Sequence, residues 1–309
     1  MKVFRSLEEV PSGFGPSAVT IGKFDGLHRG HRAVIDELVG VARRRGLTSV
    51  VVTFDRHPLA HLDPAARPAP LVSNAQRLDL IAEAGVEATL LLPFDATLAA
   101  MSPEEFAARV LRDVCGAQFV MVGEDFRFGA KGAGSIDTLR SLAPALGFEV
   151  DVVADVRPEG DRKVSSTWIR ELLAEGDVEG ATELLGRAPS VRGVVVHGAA
   201  RGRELGYPTA NLSPDCEGLI PDDGVYAGTL TDGDRVYPAA ISVGSNPTFE
   251  GVPPKQVEAY VLDRELDLYD HLVEVAFLHR VRGQVRFTGV EPLIAQMDDD
   301  VRRIREMLS

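Results

Sequence analysis

The residues with the clearest potential for chemistry are two histidines, His28 and His31, in the stretch GKFDGLHRGH. An apolar run, SAVTI, precedes this stretch and an amphipathic run, RAVIDELVGVARR, follows it, which predicts a loop between a strand and a helix. A helix N-terminus presents unpaired N–H groups and the positive end of its dipole, and glycines let a phosphate approach the backbone. We therefore expect both histidines to stabilise charge on a transferred phosphoryl group.

Two other roles for these histidines remain open on spacing alone. They can satisfy hydrogen bonds within the loop, or they can bind a metal ion. A metal site needs a third ligand, and the neighbouring sequence contains no cluster of His, Cys or Asp that would supply one.

A second candidate for phosphate binding is the stretch KVSSTWIR. Ser165, Ser166 and Thr167 can cap the helix that WIRELLAEG begins, and Arg170 would lie near its first turn as a fixed cation. The alternative is a plain capped helix that carries a surface arginine.

The first part of the chain must position these residues, and its pattern is that of an α/β domain. Five β-rich runs are separated by segments with helical apolar spacing, which is typical of a parallel sheet covered by helices. These runs are AVTIG, SVVVTF, ATLLLPF, QFVMVG and FEVDVVA. In SPEEFAARVLRDVC, Ser102, Pro103 and Glu105 predict a capping box at a helix start.

The pattern changes near residue 187, where short strands divided by Gly, Asp and Pro turns predict an antiparallel barrel or sandwich. TDGDR predicts a hairpin turn. A final helix should cover an end of the barrel through the apolar stripe Leu293, Met297, Val301, Ile304 and Leu308. Its run of acidic residues, Asp298 to Asp300, is most simply a solvated face. A linker around LLGRAPSVRG predicts domains at residues 1–186 and 187–309.

Composition limits the classes of partner. The 309 residues include 33 Lys and Arg against 46 Asp and Glu, a formal charge of −13, which disfavours a nucleic-acid partner. No apolar run approaches the ~20 residues that cross a bilayer, and the N-terminus lacks a signal-peptide pattern, so we expect a cytoplasmic protein without a membrane partner. The two cysteines, Cys115 and Cys216, lie far apart and offer no thiolate zinc site.

Several of these motifs carry a family resemblance. GKFDGLHRGH resembles the HxGH signature of the nucleotidyltransferase superfamily, and KVSSTWIR resembles its second signature. GRELGYPTANL resembles the riboflavin kinase signature and is followed by GVYAG, SVGSNPTF and VEAYVLD. With TFDRHP and VGEDFRFG, the resemblance to the bacterial bifunctional riboflavin kinase/FAD synthetase family spans essentially the whole chain. The family usually has Glu and Pro at Asp55 and Arg56, and some relatives have Asn at Asp125.

For residues 1–186 the resemblance implies a Rossmann-like nucleotidyltransferase domain that transfers the adenylyl group of ATP to FMN. Its implied nucleotide-binding residues are Gly22, Phe24, Asp25, Gly30, Ser165, Ser166, Thr167 and Arg170. His28 and His31 would be catalytic, and His57 and Asp125 would contact the flavin. His57 is equally explained as a turn histidine before Pro58.

For residues 187–309 the resemblance implies a β-barrel riboflavin kinase with a terminal helix. Thr209 and Asn211 alternate along an extended segment and offer the hard oxygen ligands that Mg²⁺ accepts, and in the family they hold Mg–ATP. Glu258 would be the general base; on its own it can equally be a strand glutamate that faces solvent. Asn246, Pro247 and Thr248 fit loop architecture better than catalysis.

The expected substrates are therefore riboflavin, FMN and ATP, with Mg²⁺ as cofactor, and the oligomeric state stays open. Two alternatives have different signatures. A riboflavin kinase with an inactive first half is opposed by the intact HxGH and SSTWIR motifs, although the altered TFDRHP loop favours it. A tRNA-charging relative is opposed by the low basic charge and by the lack of a KMSKS-like loop, and a non-enzymatic flavin- or nucleic-acid-binding protein would not need Glu258.

Overall fold

The structure is a computed structural model that describes residues 1–57, 67–157, 162–198, 206–245 and 255–309. The chain forms two compact units. The first comprises Met1–Pro70 and Asn74–Ser165, and the second comprises Leu71–Ser73 and Ser166–Ser309. This geometric division differs from the functional boundary predicted between residues 186 and 187, which stays a prediction. The residues Asn246, Pro247 and Thr248, expected to be loop architecture, lie outside the described residues.

The first unit contains a six-stranded sheet in the order β1-β4-β3-β2-β5-β6, and every neighbouring pair is parallel. Its strands are β1 (Lys2–Phe4), β2 (Ser17–Ile21), β3 (Thr48–Phe54), β4 (Ala88–Leu92), β5 (Ala117–Gly123) and β6 (Glu149–Val153). All five residues of β2 are buried, as expected for a central strand covered on both faces. Because β2 lies between β3 and β5, the sheet has its topological switch beside β2, where α/β folds bind ligands.

Helices cover this sheet, as the alternating pattern predicted. They are α1 (Arg29–Arg45), α2 (Asn74–Glu83), α3 (Ala96–Ala100), α4 (Pro103–Phe106) and α5 (Ile136–Leu146). The predicted capping box is confirmed at α4, where the Ser102 and Glu105 side chains each bond the other's backbone N–H. The chain continues from α4 as a π-helix over Ala107–Val114, which the sequence pattern did not reveal.

The second unit contains a closed antiparallel barrel in the order β10-β11-β8-β7-β12-β9. Its strands are β7 (Ser190–Val196), β8 (Ala210–Leu212), β9 (Gly224–Asp232), β10 (Arg235–Ser245), β11 (Lys255–Val261) and β12 (Leu272–Gly283). The predicted hairpin in TDGDR is confirmed, because β9 ends at Asp232 and β10 begins at Arg235. Because the strand order closes on itself, this unit is a barrel rather than a sandwich.

The described part of this unit also contains the helices α6 (Ser166–Glu175), α7 (Val178–Leu185) and α8 (Val290–Met307). Helix α6 is tied to the barrel by Arg280, whose side chain donates to the Glu175 carbonyl and, at 2.8 Å, to Asp222 Oδ2. Helix α7 is tied to the same residue, because the Arg280 backbone N–H donates to Glu179 Oε1 at 3.2 Å. The Asp222 N–H in turn donates to the Leu173 carbonyl at 2.8 Å. No helix among the described residues has the length and apolar character that crossing a membrane requires.

Helix α8 lies against the outer surface of the barrel rather than across its end. Val301 and Ile304 of the predicted stripe are buried beside Val225, Ala240 and Tyr260, which face outward from their strands. The helix packs there because these three outward side chains are apolar, and burying them stabilises the contact.

The expectation that Asp298 to Asp300 form a solvated face is wrong for Asp300, whereas Asp298 is exposed and Asp299 is partly exposed. Asp300 is only 4% exposed and accepts two hydrogen bonds of 3.0 Å from Arg282 Nε, one to each carboxylate oxygen. Asp298 accepts a hydrogen bond from the Tyr207 hydroxyl. Asp299 pairs with Arg302 on the same helix. Asp300 therefore anchors α8 to the barrel through Arg282 of β12.

Candidate active sites

The HxGH stretch forms the start of α1, and His28 is the N-cap residue of that helix. Its Nδ1 atom accepts a hydrogen bond from the His31 backbone N–H, with 3.3 Å between the nitrogens. An imidazole that accepts at Nδ1 carries its proton on Nε2 when neutral. The cap therefore fixes the tautomer of His28 and makes its Nε2–H a hydrogen-bond donor at the helix N-terminus.

The two histidine rings are stacked, with 3.7 Å between centroids and 16° between planes. Phe24 supports this pair from the core: it is 3% exposed, and its ring meets the His31 ring edge-on at 5.2 Å. Gly30 allows the close approach, because a Cβ atom at this position would lie 3.2 Å from the His28 ring. Phe24, His28, Gly30 and His31 are therefore brought together, with Phe24 serving as a support.

Burial lowers the pKa of His31 well below its ordinary value of 6.5, and the charges of His28, Lys23 and Arg77 lower it further. Its Nδ1 atom is buried and has no hydrogen-bond partner among the described residues. His31 is therefore neutral at physiological pH in the ligand-free protein. An anion brought to the helix N-terminus would favour its protonated form.

Arg77 holds the loop that precedes the histidines, a role that sequence reasoning missed. This side chain on α2 is only 8% exposed and donates to the carbonyls of Lys23 at 2.7 Å and Phe54 at 2.5 Å, and to Asn74 Oδ1 at 2.6 Å. It ties together the loops after β2 and β3, which adjoin each other in the sheet. Because Lys23 and Phe54 are 54 and 23 residues from Arg77 along the chain, no local sequence pattern indicates these hydrogen bonds.

The loop after β3 contains the predicted flavin residue His57, whose Nε2 atom lies 3.1 Å from Lys23 Nζ. In the same loop, Asp55 accepts a hydrogen bond from the Phe94 N–H at 2.9 Å and pairs with Arg56. Burial alone would raise the pKa of Asp55, but these bonds from Arg56 and Phe94 lower it overall. Asp55 and Arg56, the positions that depart from the family pattern, thus form a local loop anchor.

A cavity of about 460 Å³ opens at the carboxyl ends of the strands in the first unit. Its apolar wall contains Phe54, Phe94, Phe106, Phe126 and Phe128. Its charged lining residues are Lys23, Asp125, Arg127 and Lys131. Asp125, predicted to contact the flavin, lines this cavity and pairs with Lys163; His57 does not line it but contacts Lys23, which does. The stretch VGEDFRFG was the sequence signal for part of this wall.

The second phosphate-binding motif lies at the start of α6. That helix begins at Ser166, so Ser166 and Thr167 already belong to its first turn, and Ser165 precedes it. Arg170 is on the same helix, and Ile169 and Leu173 form its buried side. Ser165 belongs to the first compact unit and the residues from Ser166 onward belong to the second.

The second unit gathers Thr209, Asn211 and Glu258 on one face of the barrel. Glu258 on β11 is directly opposite Asn211 on β8, and the Thr209 hydroxyl donates to Glu258 Oε2 at 3.3 Å. The Asn211 amide donates to the Thr209 carbonyl at 3.2 Å. Gly198 permits this arrangement, because a Cβ there would lie 2.5 Å from the Asn211 side chain. We call these three residues the oxygen cluster.

A cavity of about 500 Å³ adjoins the oxygen cluster, and Thr209 lines both. The rest of its lining includes residues 264–269 and four side chains that face the barrel interior, Val195, Ala210, Ala259 and Val261. The Tyr269 ring stacks on the His197 ring with 3.9 Å between centroids. Glu258, which alternates with Val257 and Ala259 along β11, faces away from this cavity. Sequence reasoning missed the loop of residues 264–269.

Comparison with known proteins identifies both halves. The FAD synthetase family matches residues 12–168, and the riboflavin kinase family matches residues 185–308. The structure also superposes, with a TM-score of 0.87 and 32% identity over 98% of both chains, on a crystal structure described as that of a macrolide-efflux protein from Streptococcus pneumoniae.

Full-length relatives carry both activities in their names. The chain is 34% identical over 308 residues to the bifunctional riboflavin kinase/FMN adenylyltransferase of Escherichia coli K12. The match covers 99% of this chain and 97% of that protein. It is 35% identical to the Pseudomonas fluorescens enzyme of the same name and 32% identical to that of Bacillus subtilis, covering 98% and 90% of those proteins. The chain therefore belongs to the bifunctional riboflavin kinase/FMN adenylyltransferase family, with an FAD synthetase domain followed by a riboflavin kinase domain.

Proposed function

We propose that the chain converts riboflavin to FAD in two steps, each at its own site. At the oxygen cluster the γ-phosphate of ATP passes to the terminal ribityl hydroxyl of riboflavin and gives FMN and ADP. At the HxGH loop the FMN phosphate attacks the α-phosphorus of ATP and gives FAD and pyrophosphate. The observation that carries the assignment is the convergence on one face of the barrel of Thr209 and Asn211 with Glu258, which is 49 residues from Thr209 along the chain.

At the HxGH loop, His28 and His31 would stabilise the negative charge that grows on the phosphates and on the departing pyrophosphate. His28 is oriented for this role by its own capping bond, so its Nε2–H needs no reorganisation when charge develops. The lowered pKa of His31 fits a residue that donates a hydrogen bond and gains charge only when the polyanion is bound.

The flavin ring would occupy the cavity of about 460 Å³, because its phenylalanine-rich wall suits a flat aromatic ligand. Asp125 lines this cavity and His57 positions Lys23 on its wall, which supports their assignment to the flavin side of the site. Ser165, Ser166, Thr167 and Arg170 would bind the nucleotide phosphates through the helix N-terminus and a fixed guanidinium.

At the oxygen cluster, Mg²⁺ would enter with ATP. The donor set fits this ion, since the hydroxyl of Thr209 and the amide oxygen of Asn211 are hard oxygen ligands held within one cluster. When bound, Mg²⁺ neutralises phosphate charge and orients the triphosphate. Thr209 and Asn211 would hold the metal–nucleotide complex, and the cavity of about 500 Å³ that Thr209 lines would accept the nucleoside.

Glu258 would accept the proton of the attacking hydroxyl. Its position on the face opposite the nucleotide cavity, while bonded to Thr209, allows riboflavin to approach from the other side of the phosphate. A carboxylate in hydrogen-bond reach of an alcohol is a suitable general base for phosphoryl transfer.

The experiment that tests the proposal uses the purified chain with Mg–ATP and either riboflavin or FMN, and separates the flavins by chromatography. We expect FMN followed by FAD from riboflavin, FAD directly from FMN, and no product after chelation of Mg²⁺. FMN as the only product would indicate a riboflavin kinase whose HxGH site is inactive. No product in either reaction would favour a non-enzymatic flavin-binding protein.

A further inference from the structure

FMN differs from riboflavin by one phosphate group, so a site that accepts FMN for adenylylation should contain a cation that recognises this group. Three residues that line the cavity of the first unit carry a positive charge: Lys23, Arg127 and Lys131. The carboxylate in the lining, Asp125, is already paired with Lys163. The cavity thus presents an apolar wall and a cationic rim, which suits an aromatic ring that carries a dianion.

Lys23 differs from the other two cations by its position. It follows β2 directly after Gly22 and lines the cavity, and five residues further along the chain is His28. Of the three cations, only Lys23 is among the charges that act on His31. It therefore lies between the space that suits the flavin ring and the helix N-terminus that suits the nucleotide phosphates.

The backbone and the side chain of Lys23 are both held in place. Its carbonyl accepts hydrogen bonds from Thr53 Oγ1 at 3.2 Å and from the buried Arg77 guanidinium at 2.7 Å. Its Nζ atom lies 3.1 Å from His57 Nε2, which accepts a hydrogen bond from the ammonium when the imidazole is neutral. An ammonium that lines the cavity and is carried by a fixed backbone is placed to bind an oxyanion.

We propose that Lys23 binds the phosphate of FMN and selects the phosphorylated flavin for adenylylation. It holds a phosphate oxygen beside the HxGH loop, where that oxygen forms a bond to the α-phosphorus of ATP. The bond from the α-phosphorus to the bridging oxygen breaks, and its electron pair leaves with pyrophosphate. This inference rests on the proposed placement of the flavin in the cavity.

The test replaces Lys23 with Met, which keeps the side-chain length and removes the charge. The KM for FMN is measured in the adenylylation assay at saturating Mg–ATP, and lumiflavin, which has the ring but no phosphate, is used as a competitive inhibitor. We expect the KM for FMN to rise roughly tenfold to a hundredfold, as loss of a charged hydrogen bond implies, while the inhibition constant of lumiflavin stays unchanged.

Two further variants serve as controls. Lys23→Arg keeps the charge and should restore most of the affinity for FMN. Arg140→Met removes an equal charge from an exposed position on α5 and should leave both constants unchanged. An unchanged KM for FMN in Lys23→Met would overturn the proposal, and so would an equal loss of FMN and lumiflavin. A large rise in Lys131→Met together with none in Lys23→Met would assign the phosphate to Lys131 instead.

A separate variant tests the placement of the flavin on which the inference rests. Phe126→Ala removes a ring of the cavity wall that stacks on Phe128. Weaker binding of both FMN and lumiflavin would support the placement. If Phe126→Ala changes neither constant in an enzyme that makes FAD, the flavin lies elsewhere and the proposed placement fails. If Phe126→Ala weakens both ligands but Lys23→Met does not affect FMN, only the role of Lys23 fails.

Discussion

The HxGH loop and the oxygen cluster offer opposite kinds of chemical group to a phosphate ligand. The HxGH loop offers hydrogen-bond donors: the N-terminus of α1, two imidazoles and the ammonium of Lys23. The oxygen cluster offers a hydroxyl, an amide and a carboxylate, which accept hydrogen bonds or bind a cation. Donors can bind phosphate directly, whereas oxygen ligands require a cation between themselves and the phosphate. The two activities should therefore respond to different perturbations.

The two sites also differ in how they are held together. His28 and His31 are three residues apart, and their contact forms as soon as α1 forms. Thr209 and Glu258 are 49 residues apart and meet only when β8 pairs with β11. The oxygen cluster thus depends on the pairing of these two strands within the closed barrel.

The largest effect should come from Glu258→Gln, which keeps the size of the side chain and removes its basicity. Riboflavin phosphorylation should fall about a hundredfold to ten-thousandfold with little change in the KM for riboflavin, as expected for loss of a general base. Thr209→Ala should instead raise the Mg²⁺ concentration that gives half-maximal rate. Steady-state assays with either riboflavin or FMN measure both effects. Near-normal phosphorylation in Glu258→Gln would return this residue to the role of a strand glutamate.

Replacing His28 with Ala should lower FAD formation from FMN about a hundredfold or more, because one donor to the developing charge is lost. Riboflavin phosphorylation should be unaffected. His28 is also a helix cap, so His28→Asn is the matched control: Asn caps a helix well but has no imidazole. We expect the Asn variant to recover stability without recovering FAD formation. Recovery of the activity by Asn would reduce His28 to a cap.

Asp300→Ala should destabilise the second unit by about 3 kcal/mol, since it leaves the guanidinium of Arg282 without its partner in a buried pair. The matched control is Asp299→Ala on the same helix, which removes a surface pair with Arg302 and should cost under ~1 kcal/mol. Chemical denaturation measures both free energies of unfolding. Equal effects would mean that the pair between α8 and the barrel contributes no more than a surface contact.

The smallest effect concerns pH and the HxGH loop. Because the pKa of His31 is lowered in the folded protein, the unfolded chain binds a proton first as pH falls. The stability contributed by neutral His31 is fully present above about pH 6.5 and is lost progressively below it, at up to ~1.4 kcal/mol per pH unit. Stability should therefore decline less steeply between neutral and mildly acidic pH in His31→Gln than in the unsubstituted chain. Parallel declines would contradict the shift.

Much of the architecture could be predicted because it is written in local patterns. The alternation of strands and helices, the capping box at Ser102 and the hairpin after Asp232 each depend on a few neighbouring residues, and all three are confirmed. The HxGH and PTAN stretches were recognisable for the same reason. Their side chains do come together in two groups, one at the start of α1 and one between β8 and β11.

What could not be predicted depends on contacts between distant segments. Arg77 reads as an ordinary helix arginine, yet it is buried under two loops. Asp300 reads as part of a solvated acidic run, yet β12 supplies an arginine to it. The start of α6 at Ser166 moved two of the three proposed cap residues into the helix itself. For Arg77 and Asp300 the deciding partner lies in tertiary structure, and no short-range pattern encodes it.

The most direct test of the central claim, that two separate sites perform successive reactions, is complementation between two inactive variants. Glu258→Gln and His28→Ala are mixed in equal amounts with riboflavin and Mg–ATP, and FAD is measured by chromatography against each variant alone. Separate sites predict little FAD from either variant and clear FAD formation from the mixture, because FMN made by His28→Ala is adenylylated by Glu258→Gln. Failure of the mixture, with both variants folded, would contradict the account.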